Sequence, residues 1–160
     1  MEFRTERLPA ASPALLGRIF RGMIGMHLPD TGLEPLLLEL VKTRASQING
    51  CAFCLDMHTK DARAMGETEQ RLYLLPAWRD TDLYTPRERA ALAWTEAVTV
   101  IAEDRVPDAV FDEVRPHFSD DELAALTMAI VAINGYNRFN VAFRLPGGAY
   151  EPSMLAAALA

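Results

Sequence analysis

The chain has 160 residues, half of them hydrophobic, and a formal net charge of −6. No run of Lys or Arg offers the clustered positive charge that nucleic-acid binding requires, so we expect no nucleic-acid partner. The N-terminus lacks an apolar signal region, and the longest apolar stretch, Leu123 to Ile133, is too short to span a membrane. We therefore expect a cytoplasmic protein with no membrane partner.

Apolar residues recur at helical spacing along nearly the whole chain, and the alternation typical of strands is missing, so we predict an all-α fold. The helix boundaries follow from prolines, glycines and Ser or Thr caps. In chain order, we predict helices from Pro13 to the turn at Pro29–Gly32, from Glu34 to about Gln47, from Cys51 to Met65, from Glu67 to Trp78, from Thr85 to about Glu103, from Pro107 to Arg115 and from Ser119 to about Arg144. We treat residues 1–160 as one domain, with a helical N-terminal extension over residues 1–32 and a C-terminal tail over residues 146–160.

A short internal repeat is present, because Ile48–Gly50 reappears as Ile133–Gly135, each time after an apolar helical segment. In each copy the glycine would allow a sharp turn between helices. If a helical unit has been duplicated, Asn137, Arg138 and Asn140 of the second copy could face the site formed by the first. A match of three residues also arises by chance in a helical chain, and both interpretations stay open.

The two cysteines of the chain, Cys51 and Cys54, lie at the start of a predicted helix. In a reducing compartment such a pair is more often catalytic or metal-binding than structural. On a helix that begins at Cys51, both sulfurs and the imidazole of His58 share one face, at about 0°, 300° and 340° around the axis. The sulfurs, one turn apart, can close a disulfide with little backbone movement. The free N–H groups and the positive dipole end of the helix favour the thiolate.

Two features of this helix favour different cysteines as the attacking thiolate. The dipole favours Cys51, which is closest to the helix start. His58 favours Cys54, because along the helix axis it lies about 6 Å from Cys54 and about 10 Å from Cys51. A histidine near a thiol can accept its proton directly or through one water, and Glu39 on the preceding helix is a candidate to orient the imidazole. On this geometry we predict that Cys54 attacks and that Cys51 is the resolving thiol.

Four residues reproduce the signature Glu-x11-Cys-x2-Cys-x3-His: Glu39, Cys51, Cys54 and His58. The segment from Glu34 to about Met65 thereby resembles the alkyl hydroperoxidase D-like (AhpD-like) branch of the carboxymuconolactone decarboxylase superfamily, and Asn134–Phe139 resembles it more loosely. Some members carry a histidine just before the second cysteine, where this chain has Phe53, so a relay through two imidazoles is not implied. The lactone decarboxylases of the superfamily lack the cysteine pair, so decarboxylation is not expected.

The resemblance implies an all-helical fold that assembles as a homotrimer or a homohexamer. It also implies a peroxidase reaction, in which Glu39 relays a proton through His58 and water to activate Cys54. A hydroperoxide would oxidise Cys54 to a sulfenic acid, and Cys51 would condense with it to a disulfide. A dithiol reductant, in the family a lipoyl-protein system, would then reduce that disulfide. No cofactor is expected.

Other interpretations fit the same residues. The dithiol could serve a general dithiol–disulfide oxidoreductase or a redox sensor, which would exchange quickly with disulfides and react slowly with peroxides. A non-enzymatic helical assembly module could instead bind zinc through Glu39, Cys51, Cys54 and His58 and so stabilise its helical hairpin. The cysteines could also be small buried hydrophobic residues.

Overall fold

A computed structural model describes residues 13–24 and 31–152, and within these residues it contains helices and no strand, which confirms the all-α prediction. The α-helices of the described part are α1 (Pro13–Ile24), α2 (Pro35–Asn49), α3 (Ala52–Ala64), α4 (Glu69–Leu74), α5 (Pro86–Thr99), α6 (Ile101–Asp104), α7 (Asp108–Val114) and α8 (Asp120–Phe143), with 3₁₀ helices at Leu75–Asp80 and Arg115–His117. Residues 1–12, residues 25–30 and residues 153–160 lie outside the described residues, and with them the end of the first predicted helix, half of the turn predicted at Pro29–Gly32 and part of the predicted tail. No described helix is both long enough and apolar enough to cross a membrane.

Two helices begin at the capping boxes that the sequence predicts. The hydroxyl of Thr85 accepts the N–H of Glu88 at 3.2 Å, and the Glu88 carboxylate accepts the N–H of Thr85 at 2.7 Å. Ser119 and Glu122 exchange the same two bonds at 3.2 and 2.8 Å. Because these bonds satisfy N–H groups that a helix start leaves free, α5 and α8 begin one residue after their caps.

Two of the predicted helices are interrupted in the structure. The segment predicted as one helix from Glu67 to Trp78 is divided into α4 and a 3₁₀ helix, because Pro76 has no N–H to continue the α-helical bonding. The helix predicted from Thr85 to about Glu103 ends at Thr99 and resumes as α6. The break at Val100 lies in a run of four β-branched residues, which lose side-chain freedom in a helix and so disfavour it.

Gly50 ends α2 in the left-handed conformation, with φ +67° and ψ +34°, which other residues adopt only with strain. The N–H groups of Gly50 and Cys51 bond to the carbonyls of Gln47 and Ser46 at 3.3 and 3.0 Å, and these bonds close the helix end. The predicted turn at this glycine is confirmed. The helix predicted from Ser119 to about Arg144 is confirmed as the continuous helix α8, so Gly135 lies inside a helix and the turn that a duplicated unit would have there is absent. A glycine within a helix costs only about 1 kcal/mol, which packing of the flanking residues can offset.

The central helix α2 packs against α3, α5 and α8, and α5 also packs against α8. The main hydrophobic core between these helices is built from large, fully buried side chains that include Leu40, Leu75, Trp78, Leu92, Leu126 and Ile130. A smaller buried cluster joins Cys51 and Cys54 of the α3 segment to Ala45 of α2 and Ile133 of α8. The two cysteines therefore lie where three helices meet.

Candidate active site

Cys51 is the N-cap of α3 and not its first helical residue. Its backbone is extended, and its Sγ accepts the N–H of Cys54 at 3.3 Å. The side chains of both cysteines are buried, with 1 % and 0 % of their surface exposed, and both are free thiols. A sulfur at the N-cap accepts the bond that a Ser or Asp oxygen usually accepts, so the helix start stabilises a negative charge on it.

The two thiols shift each other's pKa in opposite directions. The hydrogen bond from the thiol of Cys54 lowers the pKa of Cys51 to about 7; burial opposes the shift, and N–H groups of Cys54, Asn140 and Asn137 support it. The same bond, together with burial and the charge of Cys51, raises the pKa of Cys54. The resting negative charge therefore belongs to Cys51, and Cys54 holds the shared proton.

Glu39 and His58, which the sequence predicts as partners, are in contact. The Nδ1 of His58 lies 2.8 Å from Oε2 of Glu39, and the Nζ of Lys42 donates to the other carboxylate oxygen at 2.8 Å. Burial raises the pKa of Glu39, but the bond and charge of His58 and those of Lys42 outweigh it and lower the pKa to about 2. An ionised Glu39 accepts the proton of Nδ1 and leaves Nε2 as the acceptor. Nε2 is buried and has no partner among the described residues.

The second copy of the short repeat brings one asparagine directly to the cysteines. The Nδ2 of Asn140 on α8 donates to Sγ of Cys54 at 3.2 Å. Asn137 reaches α2 through a bond from its Nδ2 to Ser46 Oγ at 3.0 Å. Arg138 is exposed and bonds to its own helix at the carbonyl and side chain of Asn134. Of the three residues that the repeat singled out, Asn140 therefore donates to a cysteine sulfur, and Asn137 also supports the thiolate of Cys51.

A contact that the sequence analysis missed ties the C-terminal segment to α3. The carboxylate of Asp56 accepts the N–H groups of Gly148 and Tyr150 at 2.7 and 3.0 Å, and Lys60 donates to the carbonyl of Tyr150 at 2.7 Å. The hydroxyl of Tyr150 reaches the carboxylate of Asp61 at 2.9 Å. Some 90 residues separate these partners in the chain, so helical spacing holds no signal for the contact.

The zinc ligands proposed from the sequence are not assembled. The described part of the chain contains one group of side chains that could hold a metal ion. It consists of Glu39, His58 and Asp61, whose ligand atoms all lie within 4.8 Å of one another. Neither Cys51 nor Cys54 belongs to it. Among the described residues, the carboxylate–imidazole group and the two sulfurs do not form one set of ligands, so the structure does not favour a zinc site that combines them.

The ionised state of Glu39 has a consequence for stability. The pKa of Glu39 is about 2 in the folded protein, against about 4.5 for a free side chain. The ionised carboxylate therefore stabilises the fold fully above about pH 4.5, and this stabilisation is lost as the pH falls toward about 2. The shift corresponds to about 3 kcal/mol. We expect the free energy of unfolding in urea to fall more between pH 5 and pH 3 in the wild type than in Glu39→Gln. Glu113→Gln, at an exposed position of α7, serves as the control, and equal slopes in all three proteins would contradict the prediction.

Comparison with known proteins places the chain in a family. Residues 13–97 match the model of the carboxymuconolactone decarboxylase family. The uncharacterized protein YdfG of Bacillus subtilis is 52% identical over 104 residues, which cover 65% of this chain and 71% of that protein. One similar crystal structure is that of an Agrobacterium tumefaciens protein of unknown function, proposed to be the antioxidant defence protein AhpD. Its sequence is 45% identical and its TM-score is 0.78, and the match covers 82% of this chain and 92% of that one.

A more distant structure shares the fold alone. The debrominase Bmp8 is 20% identical with a TM-score of 0.66, and the match covers 92% of this chain and 76% of that one. The family match, the close relatives and the Glu39–Cys51–Cys54–His58 pattern agree with one another. The chain belongs to the carboxymuconolactone decarboxylase family, in its AhpD-like branch.

Proposed function

We propose that the protein is a thiol peroxidase of the AhpD type, which reduces hydroperoxides with the dithiol of Cys51 and Cys54. The observation that carries the proposal is the environment of the Cys51 thiol. Its sulfur lies at a helix N-cap, its pKa is lowered to about 7, and the thiol of Cys54 donates a hydrogen bond to it. An ordinary thiol is only a few per cent ionised at neutral pH, whereas the lowered pKa of Cys51 increases the fraction present as thiolate. The antioxidant role proposed for the Agrobacterium relative supports the same chemistry.

In the proposed reaction a thiolate attacks the hydroxyl oxygen of the hydroperoxide. The S–O bond forms, the O–O bond breaks, and the leaving alkoxide takes the proton that the dithiol had given to His58. The second thiol then condenses with the sulfenic acid, which forms the Cys51–Cys54 disulfide and releases water. One hydroperoxide and two thiols thus give one alcohol, one water and one disulfide.

The sequence and the structure favour different cysteines for the attack. The spacing from His58 predicts attack by Cys54 and a Cys54 sulfenic acid. The hydrogen bonds of the resting state favour Cys51, since they stabilise its thiolate and keep the proton on Cys54. Both orders end in the same disulfide, so the proposed activity does not depend on the choice.

The imidazole of His58 supplies the base in this scheme. Nδ1 is engaged by the ionised Glu39, which holds the ring in place and stabilises the imidazolium that forms when Nε2 takes a proton. Nε2 is free for that proton among the described residues. We propose that Glu39 acts on the reaction through His58 and does not touch the substrate.

The proposal extends to the partners. The disulfide needs a dithiol reductant to return to its reduced form, and a lipoyl protein would supply one. Assembly as a homotrimer or homohexamer is supported by the exposed apolar side chains that α8 presents, which include Met128, Val131 and Val141. No cofactor takes part in the proposed reaction.

Stopped-flow oxidation of the reduced protein tests this function against its alternatives. We expect hydrogen peroxide or an organic hydroperoxide to oxidise the thiols at least about a hundredfold faster than it oxidises free cysteine at the same pH. A dithiol–disulfide oxidoreductase or a redox sensor would instead react faster with a small disulfide than with either peroxide. Stoichiometric zinc and no free thiols, in protein purified without chelator, would contradict both redox functions.

A further inference from the structure

Only one end of the side-chain amide of Asn140 has a hydrogen-bond partner among the described residues. The residue is buried, with 4 % of its surface exposed, and its Nδ2 donates to Sγ of Cys54. Its Oδ1 is also buried and accepts no hydrogen bond from any described residue. A buried acceptor without a partner costs about 1–3 kcal/mol, so native structures seldom keep one without a functional reason.

A second buried asparagine on the same helix shows the contrast. Asn137 has no exposed surface, and both ends of its amide are occupied. Its Nδ2 donates to Ser46 Oγ at 3.0 Å, and its Oδ1 accepts from Nδ2 of Asn49 at 2.9 Å. The oxygen of Asn137 therefore joins α8 to α2, while the oxygen of Asn140 has no partner among the described residues and lies on a side chain that contacts the dithiol.

The free oxygen of Asn140 matches the chemistry of the proposed substrate. A hydroperoxide carries an O–H donor on the oxygen that the thiolate attacks, and thiolates and carboxamide oxygens are both acceptors. A hydroperoxide seated on Asn140 would give its O–H to Oδ1 while its oxygen faces the dithiol, because Nδ2 donates to Cys54 and the same amide supports the thiolate of Cys51. Water can bind to the same acceptor, but it has no O–O bond to break.

We propose that Asn140 positions the hydroperoxide, with Nδ2 holding the reacting dithiol and Oδ1 accepting the O–H of the oxygen that is transferred. This proposal rests on the peroxidase function proposed above. During the attack the S–O bond forms, the O–O bond breaks, and the hydrogen stays on the transferred oxygen. The S–OH of the sulfenic acid therefore donates to the same Oδ1, which stays satisfied from the substrate complex to the intermediate.

The test separates positioning of the peroxide from stabilisation of the thiolate. For each variant, the rate of oxidation by hydrogen peroxide is divided by the rate of alkylation by iodoacetamide. The same thiolate attacks the carbon of this reagent and displaces iodide, but that carbon carries no O–H. A change in thiol pKa alters both rates equally, so the ratio reports the role of Oδ1. In Asn140→Leu we expect the ratio to fall at least about tenfold, the effect of one lost hydrogen bond in the transition state.

Two further variants complete the design. Asn140→Asp keeps the shape of the side chain and an oxygen acceptor, so its ratio should lie within about threefold of the wild-type ratio. This variant also tests the proposal if Asn140→Leu fails to fold. Asn137→Leu removes a buried amide whose N–H also supports the thiolate of Cys51 but whose oxygen is already occupied. Both rates should therefore fall together and leave the ratio unchanged. Circular dichroism verifies that each variant is helical.

The outcomes distinguish this proposal from the proposed function. A rapid wild-type reaction with peroxide and an unchanged ratio in Asn140→Leu would overturn the role of Asn140 and leave the peroxidase function standing. A ratio equally low in Asn140→Leu and Asn140→Asp would exclude Oδ1 as the acceptor. A wild-type reaction no faster than that of free cysteine would overturn the peroxidase function itself, and the positioning role with it.

Discussion

Replacing either Cys51 or Cys54 by serine is expected to slow repeated reduction of peroxide sharply, because the catalytic disulfide needs both sulfurs. With a dithiol reductant, turnover should fall at least about tenfold in both single variants, because a sulfenic acid without a neighbouring thiol must react with the reductant in a bimolecular step. The measurement is the consumption of hydrogen peroxide over many equivalents of protein. The variant that lacks both sulfurs sets the baseline, and turnover at the wild-type rate in either single variant would exclude the dithiol mechanism.

A single round of oxidation in the same variants identifies the attacking cysteine. In Cys54→Ser, the serine hydroxyl can still donate to the sulfur of Cys51. The N-cap bond is also kept, because its donor is the backbone N–H of residue 54. We therefore expect Cys54→Ser to react with one equivalent of peroxide at nearly the wild-type rate. In Cys51→Ser the remaining thiol is fully buried, and the lowest-pKa thiol is gone, so we expect a reaction at least about tenfold slower.

Trapping of the sulfenic acid with a carbon nucleophile, followed by mass spectrometry, shows where the oxygen has gone. Label on Cys51 in Cys54→Ser, with little label in Cys51→Ser, is the result expected from the hydrogen bonds. Rapid labelling of Cys54 in Cys51→Ser and slow labelling in the other variant would support the order predicted from the spacing of His58. Slow labelling in both would count against peroxide as the substrate.

The parts of this site that follow from helix geometry could be predicted from the sequence. Cys54 and His58 lie one turn apart on one helix, and Gly50 must end the previous helix because its conformation is left-handed. The pairing of Glu39 with His58 depends on how two consecutive helices pack, and the spacing of the family signature was enough to predict it. Local spacing could not decide which sulfur carries the charge, since this depends on individual hydrogen bonds.

The remaining contacts depend on packing between distant segments. Asn140 lies 86 residues from Cys54 in the chain, and Tyr150 lies 89 residues from Asp61. The short repeat drew attention to Asn140, yet the turn that a duplicated unit would have at Gly135 does not exist, because α8 continues through it as the helix caps predicted. A sequence pattern can thus mark the right residue while implying the wrong local structure, when packing overrides the intrinsic cost of a glycine in a helix.

The second large effect is expected in Glu39→Gln. The carboxamide can still accept a hydrogen bond from Nδ1 of His58, so the ring keeps its place, but it carries no charge to stabilise the imidazolium that forms when Nε2 takes the thiol proton. The apparent pKa of thiol oxidation should therefore be about one unit or more higher in Glu39→Gln than in the wild type. At pH 7 this lowers the rate about tenfold, whereas at pH 9 the thiol ionises without help and the rates converge.

The measurement is the rate of thiol oxidation by hydrogen peroxide between pH 5 and pH 10, in the wild type, Glu39→Gln and Lys42→Gln. Lys42 bonds to the other oxygen of the same carboxylate, so its replacement disturbs Glu39 while the bond to His58 remains. We expect a smaller upward shift in Lys42→Gln than in Glu39→Gln. A profile in Glu39→Gln that overlays the wild type would remove the carboxylate from the mechanism. A uniform loss of rate at every pH would mean that Glu39 supports the fold of the site and takes no part in moving the proton, because a proton relay must act most strongly where the thiol is still protonated.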